Sequence, residues 1–239
     1  MGLKAIVLPD VHINDQGYAP CYEPVKKFIK QFKPDETILL GDFADCVSLS
    51  HWNLKKRRKV EGKRHSKEIE VLDKELRYLE KYSKKIVWME GNHENWLEQY
   101  LDQHPESEGS LEYTIRLKDR KFKWIPQGQT YKLGKLYFIH GEYITMHHAK
   151  KHLMEYGCNL CYGHTHTFQT HTYSMRKQDP YVAYGLGCLC DHKPAYLKGR
   201  KGAWINQFAV VYVADNGQFQ VYPINIINDA FYFEKKRYQ

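Results

Sequence analysis

Over the first hundred positions, short continuous apolar runs alternate with stretches in which apolar residues recur every three or four positions. "LKAIVLP", "ETILLG" and "KKIVWMEG" have the character of buried strands, and "EPVKKFIKQF", "SKEIEVLDKELRYLEKY" and "HENWLEQYLDQH" have helical spacing. Val25, Phe28, Ile29 and Phe32 predict one apolar helix face, and Ile69, Leu72, Leu76 and Leu79 predict another, with Ser66 as the N-cap of the second. Strand and helix in alternation predict a parallel sheet with helices on its faces.

The second half is richer in strand-like runs: "FKWIP", "GKLYFIHG", "NLCYG", "FQTHTYS", "YVAYGLG", "NQFAVVYVA" and "QFQVYPI". One helical stretch, "HAKKHLMEYG", closes on Gly157, and the Asn-Gly pair in "ADNGQF" predicts a hairpin between the last two runs. No repeat, low-complexity tract or Pro/Gly/Ser-rich linker marks a boundary, so residues 1–239 are read as one layered α/β domain.

A chain of 239 residues buries roughly 70–75% of its unfolded surface and needs no staples. Six scattered cysteines and the lack of a charged-then-apolar leader predict a reducing, cytoplasmic setting. No apolar run reaches the ~20 residues of a membrane span, which argues against a membrane partner.

Charge changes the picture more. The net charge is +8, and "KKRRKVEGKRHSK", Lys55 to Lys67, holds +7 of it. This basic insertion, at about 51–67, follows a strand end and so leaves the sheet on the ligand side. Lys55, Lys56, Arg57, Arg58, Lys59, Lys63 and Arg64 are the candidate nucleic-acid contacts, through counterion release, with His51 and Trp52 placed to stack on bases. A solvated loop is the rival reading.

Each strand-like run of the first half ends in polar residues: "LPDVH" in Asp10 and His12, "LLGDFAD" in Asp42 and Asp45, "MEGNHE" in Asn92, His93 and Glu94. Ligands bind at the carboxyl ends of parallel strands, so three segments should converge on one crevice. The second half adds His140 in "FIHGE" and the pair His164 and His166 in "CYGHTHTF". In an extended segment alternate side chains share a side, so these two histidines would lean toward one place while Thr165 turns away.

In that order the residues resemble the calcineurin-like metallophosphoesterase superfamily, whose blocks are DxH, GDxxD, GNH[DE], a lone H and GHxH. Here they read "DVH" at Asp10 to His12, "GDFAD" at Gly41 to Asp45, "GNHE" at Gly91 to Glu94, His140, and "GHTH" at Gly163 to His166. The resemblance spans residues 10–166 and implies a four-layer αββα sandwich of two mixed β-sheets flanked by helices. It also implies two divalent metal ions, with manganese expected and Fe, Zn, Mg, Co or Ni compatible with such ligands. Carried over by position, Asp10, His12, Asp42 and His166 hold one ion, and Asp42, Asn92, His140 and His164 hold the second, with Asp42 bridging. A hydroxide shared by the ions would attack phosphorus in line. By the same resemblance His93 contacts phosphate and protonates the leaving oxygen, and Asp45 orients and charges His93.

Protein phosphatases of the superfamily carry Arg after the second Asp of GDxxD, where this chain has Cys46. The reading is therefore a phosphodiesterase acting on DNA or RNA, nearer to the nuclease members. A small-molecule phosphodiesterase or phosphomonoesterase is the alternative, and a non-catalytic metal-binding scaffold is disfavoured because no expected ligand is missing. Outside the constellation, Cys158, Cys161, Cys188 and Cys190 are read as buried small residues and not as a zinc site. His148 and His152 are read as a solvated helix face among lysines, and "FYFEKKRY" as an aromatic patch with a basic tail.

Overall fold

A computed structural model describes residues 2–50, 53, 56–110, 120, 122–192 and 202–239. His51, Trp52 and Lys55 lie outside the described residues, as do the side chains of Arg57 and Lys59. The first half runs β1 (Leu3–Leu8), α1 (Tyr22–Phe32), β2 (Glu36–Leu39), α2 (Arg57–Val60), α3 (His65–Tyr82), β3 (Lys85–Met89) and α4 (Asn92–Gln103). The second half runs β4 (Phe122–Ile125), β5 (Tyr131–Leu133), β6 (Leu136–Ile139), α5 (His148–Tyr156), β7 (Leu160–Tyr162), β8 (Gln169–Met175) and β9 (Gln178–Gly185). It closes with β10 (Gln207–Val213), β11 (Phe219–Asn225), β12 (Phe231–Phe233) and β13 (Lys236–Tyr238).

Two mixed sheets carry the fold. The first has strand order β11-β10-β1-β2-β3-β4, with β1 to β4 parallel and β10 antiparallel to both β1 and β11. The second has order β5-β6-β7-β9-β8, with β6, β7 and β9 parallel and an antiparallel strand at each edge. Alternation along β1 sends Ala5 and Val7 into the contact between the sheets, where they meet Leu136, Phe138 and Cys161. Ile6 and Leu8 point the other way, onto the buried faces of α1, α3 and α4. On the far side, Ala149 and Leu153 of α5 cover Ile139, Leu160 and Tyr162 of the second sheet. Helix, sheet, sheet and helix form the four layers of the expected αββα sandwich.

The two anticipated helix faces are real: Val25, Phe28, Ile29, Ile69, Leu72, Leu76 and Leu79 are all buried. Gly157 closes α5 in the left-handed conformation at φ 59°, and the Asn-Gly hairpin joins β10 to β11. "FYFEKKRY" is the β12–β13 hairpin, whose Phe231, Phe233 and Tyr238 rings surround Phe28 of α1.

Two expectations are corrected. Ser66 is not the N-cap of α3: the Arg64 carbonyl accepts the N–H groups of Lys67 and Glu68 at 3.1 and 3.2 Å, which puts Ser66 inside the first turn. His148 and His152 do not form a solvated face, being only 4% and 0% exposed. The lysines of "HHAKKH" take the outer side, while His148 Nδ1 reaches the Tyr162 hydroxyl at 2.6 Å and His152 stacks on the Tyr162 ring at 3.8 Å. Among the described residues no helix is long and apolar enough to cross a membrane.

Candidate metal centre

The carboxyl ends of β1, β2 and β3 from one sheet and of β6 and β7 from the other meet at one rim, and each delivers its polar residues there. The chain turns sharply to do so: Asp10, His12, Asp42, His164 and His166 have φ of 46°, 52°, 50°, 68° and 58°. Left-handed backbone is uncommon for residues other than glycine, Asn, Asp and His being the types that tolerate it best, and it concentrates where surrounding structure fixes a functional geometry. Glycine is required beside these turns. A Cβ at Gly91 would overlap the Asp42 carboxylate, and one at Gly163 would overlap that of Asp10. His164 and His166 therefore do not share one side of an extended strand. The His164 N–H donates to the Asp10 carboxylate at 3.0 Å, and the turn sends the two rings to different neighbours.

His166 Nε2 lies 3.2 Å from Asp10 Oδ1 and 3.4 Å from His12 Nε2, and His12 Nε2 lies 3.8 Å from Asp42 Oδ2. On the other side of Asp42, its Oδ2 is 3.4 Å from His140 Nε2, which is 3.1 Å from Asn92 Oδ1. His164 completes that group, with Asp42, His140 and His164 offering ligand atoms within 4.8 Å of one another. All seven residues expected to hold metal thus converge on this rim, with Asp42 standing between His12 and His140.

Protonation geometry fits a cation. His140 Nδ1 donates to the Leu40 carbonyl at 2.9 Å, His12 Nδ1 to Asp45 Oδ1 at 3.3 Å and His93 Nδ1 to the Asp45 carbonyl at 2.7 Å. These acceptors have no proton to give, so each ring keeps its N–H on Nδ1 and turns Nε2 inward, as metal-binding imidazoles do. His166 Nδ1 lies 3.7 Å from the Cys190 sulfur, a contact that leaves its tautomer open. Asp10 and Asp42 are 0% and 2% exposed. Burial opposes their ionisation, yet His166 beside Asp10 and His140 and His93 beside Asp42 hold both below the ordinary carboxylate range. The imidazoles respond in kind: burial pushes His140 down, but Asp42 outweighs it and raises the ring to about 10. Two buried carboxylates facing several imidazoles, with further N and O donors nearby, suit divalent ions.

His93 and Asp45 line the pocket, and His93 also comes within ligand range of Asp42 and His12, its Nε2 lying 3.9 Å from Asp42 Oδ2. Burial lowers the His93 pKa, but Asp42 and Asp45 overcome it and bring it to about 9. Asp45 does more than the sequence indicated, because the same Oδ1 stands 3.3 Å from His12 Nδ1 and 3.3 Å from His93 Nδ1. Cys46 is fully buried, and its N–H donates to Glu68 at 3.0 Å.

Three participants were missed by the sequence reading. Cys190 is buried as expected but belongs to the site, offering sulfur within 4.8 Å of ligand atoms of His12 and His166. Trp96 lies against His93 with ring centres 3.9 Å apart, and Trp204 lies against His166 at 4.3 Å. An aromatic residue one helical turn after His93 was the available signal for Trp96; none was available for Trp204, which is distant in sequence. Of the basic residues, Lys56 and Lys63 line the pocket over this centre, while Arg58 and Arg64 are exposed.

The profile of the family described as calcineurin-like phosphoesterase matches residues 3–168, more than half of the chain, and the chain belongs to that family. No curated protein sequence matches it. Among solved structures, Vps29 of Chaetomium thermophilum is similar at 12% identity and a TM-score of 0.45, covering 93% of this chain and 97% of that one. A second solved structure is similar at 11% identity and a TM-score of 0.47, covering 93% and 99%.

Proposed function

We propose that this member of the calcineurin-like phosphoesterase family hydrolyses phosphodiester bonds in nucleic acid with two divalent ions, manganese foremost. The observation that carries the hydrolytic reading is the ring of inward Nε2 atoms around buried Asp42 and Asp10. Asp10, His12, Asp42 and His166 would hold one ion, and Asp42, Asn92, His140 and His164 the other. Ions so held supply Lewis-acid charge and bring the pKa of water toward neutrality.

The chain's own residues supply the rest. His93 keeps its Nδ1 proton on the Asp45 carbonyl, leaving Nε2 to hold the proton that the departing oxygen needs. Asp45 braces His93 and His12 together, so the proton donor and one metal ligand keep a fixed separation. Buried Cys46 offers no guanidinium for a phosphomonoester dianion, which favours diesters. Lys56 and Lys63, which line the same pocket as His93, favour a polyanion as the source of the diester.

The test is a substrate panel on manganese-loaded protein: p-nitrophenyl phosphate, its bis-ester, single-stranded DNA, duplex DNA and RNA. Turnover of the bis-ester and of a nucleic acid is expected. Turnover of the monoester alone would replace this reading with a phosphomonoesterase.

A further inference from the structure

The three imidazoles His93, His12 and His166 form a row, with ring centres 4.4 and 5.3 Å apart. The row is bracketed by indoles, Trp96 against His93 and Trp204 against His166. Both tryptophans are only half-buried, and both line the same cavity of about 750 Å³ above the centre. A phosphate group alone occupies a small part of such a volume, which falls within the roughly 300–1,000 Å³ of pockets that enclose an organic ligand. The remaining wall carries side-chain amides, Asn14 and Asn53, the ammonium groups of Lys56 and Lys63, and the carboxylates of Asp45 and Asp191.

We propose that this cavity is a nucleoside subsite, in which one unstacked base lies against the indole of Trp96 while its phosphate reaches His93, and Trp204 stands at the far end of the imidazole row. It rests on the phosphodiester reading for the place of the phosphate, and deepens that reading by naming the substrate as an unpaired nucleotide. Flat apolar faces accept any base, because every base has a π-face. The amides can hydrogen-bond to base edges, and the lysines can meet the neighbouring phosphate. A base inside a duplex is stacked on both sides and must leave the stack to enter such a pocket, so single strands and frayed ends are preferred over duplex interior.

Binding can be read without turnover. Manganese-loaded protein is titrated with thymidine 5′-phosphate and, separately, with methyl phosphate, which carries the same charged group and no base. Tryptophan fluorescence and equilibrium dialysis report the two affinities. The nucleotide should bind roughly 5- to 150-fold more tightly, the range that stacking supplies. Trp96→Leu should bring the nucleotide down toward methyl phosphate, and Trp96→Phe should retain most of the difference. Equal affinities in the wild type would overturn the subsite. So would a Trp96→Leu variant that weakens both ligands alike, because the indole would then serve only to pack His93. Preferential nucleotide binding by a protein that hydrolyses none of the panel would uphold the subsite and refute the hydrolytic function. Turnover of the bis-ester without a base preference would do the reverse.

Discussion

Glu94 Oε2 accepts the backbone N–H of Asp42 at 2.9 Å, so the residue two places after Asn92 on α4 fixes the turn that carries the Asp42 carboxylate. The same oxygen accepts the Gly91 N–H and its partner Oε1 accepts the Ala44 N–H, each at 2.9 Å. One side chain thus ties the end of β2 to the end of β3. Burial, then the nearby Asp42 charge, push Glu94 up to about 7. Two carboxylates this close and this deep persist where positive charge answers them.

Glu94→Gln tests that clamp. The amide nitrogen is a donor, so at least one of the three backbone N–H groups loses its acceptor while remaining buried. A loss of about 1–3 kcal/mol in urea unfolding is expected. Manganese affinity, measured by equilibrium dialysis, should fall with it. Unchanged stability would mean that the turn holds itself.

His93→Ala separates proton transfer from metal holding. Bound manganese should stay at the wild-type level if His12, Asp42, His140 and His164 suffice without His93, which also stands within ligand range of Asp42 and His12. Turnover of an alkyl diester should fall by ~10²–10⁴-fold, the usual worth of a positioned acid. The loss should be smaller for an aryl ester, whose leaving oxygen hardly needs a proton. Loss of a metal ion from the variant would reassign His93 to the ligand set.

How much of this was legible beforehand differed by level. Strand ends were readable because a buried parallel strand leaves a continuous apolar run, and Asp10, Asp42, Asn92 and His140 each follow one within three residues. The helix faces on Phe28 and Leu72 were readable from their period. The paths of His164 and His166 were not, because left-handed backbone at two successive histidines depends on the Asp10 carboxylate, far away in sequence. His148 and His152 were misread for a related reason. Their lysine neighbours suggested solvent, but which side of α5 is covered depends on Tyr162 in β7. β5 and α2, three and four residues long, were too short for a periodic signal.

The corrected role of His152 gives a pH dependence. Its Nε2 accepts the N–H groups of Glu142 and Tyr143, at 3.0 and 3.3 Å, and its Nδ1 donates to the His148 carbonyl at 2.8 Å. A second proton would remove that acceptor, and burial depresses the pKa from 6.5 to about 4. The unfolded chain therefore binds more protons than the folded one below pH 6.5, and stability falls as pH is lowered from 6.5 toward 4. The full effect is about 3 kcal/mol, at 1.36 kcal/mol per unit. Burial moves His148 in the same direction, so it adds to the slope. Urea unfolding of metal-free His152→Gln and wild type at several pH values checks this. The variant should show a shallower decline across that window, and parallel curves would place the acid sensitivity elsewhere.

The basic insertion distinguishes a nucleic-acid substrate from a small diester. Lys56 and Lys63 line the pocket, and exposed Arg58 and Arg64 belong to the same segment, so a strand entering the pocket would pass these cations. Each phosphate contact releases condensed counterions, giving a slope of roughly −0.7 in log affinity against log salt for a single strand. Substituting Arg58 and Arg64 with Gln leaves the pocket wall and the candidate metal ligands untouched. Hydrolysis of the bis-ester should then stay within about twofold of wild type. Affinity for single-stranded DNA should weaken, and the salt slope should become shallower by up to about 1.4 for the two contacts. If slope and affinity are both unchanged, the insertion is a solvated loop, and a small-molecule diester becomes the better substrate for this centre.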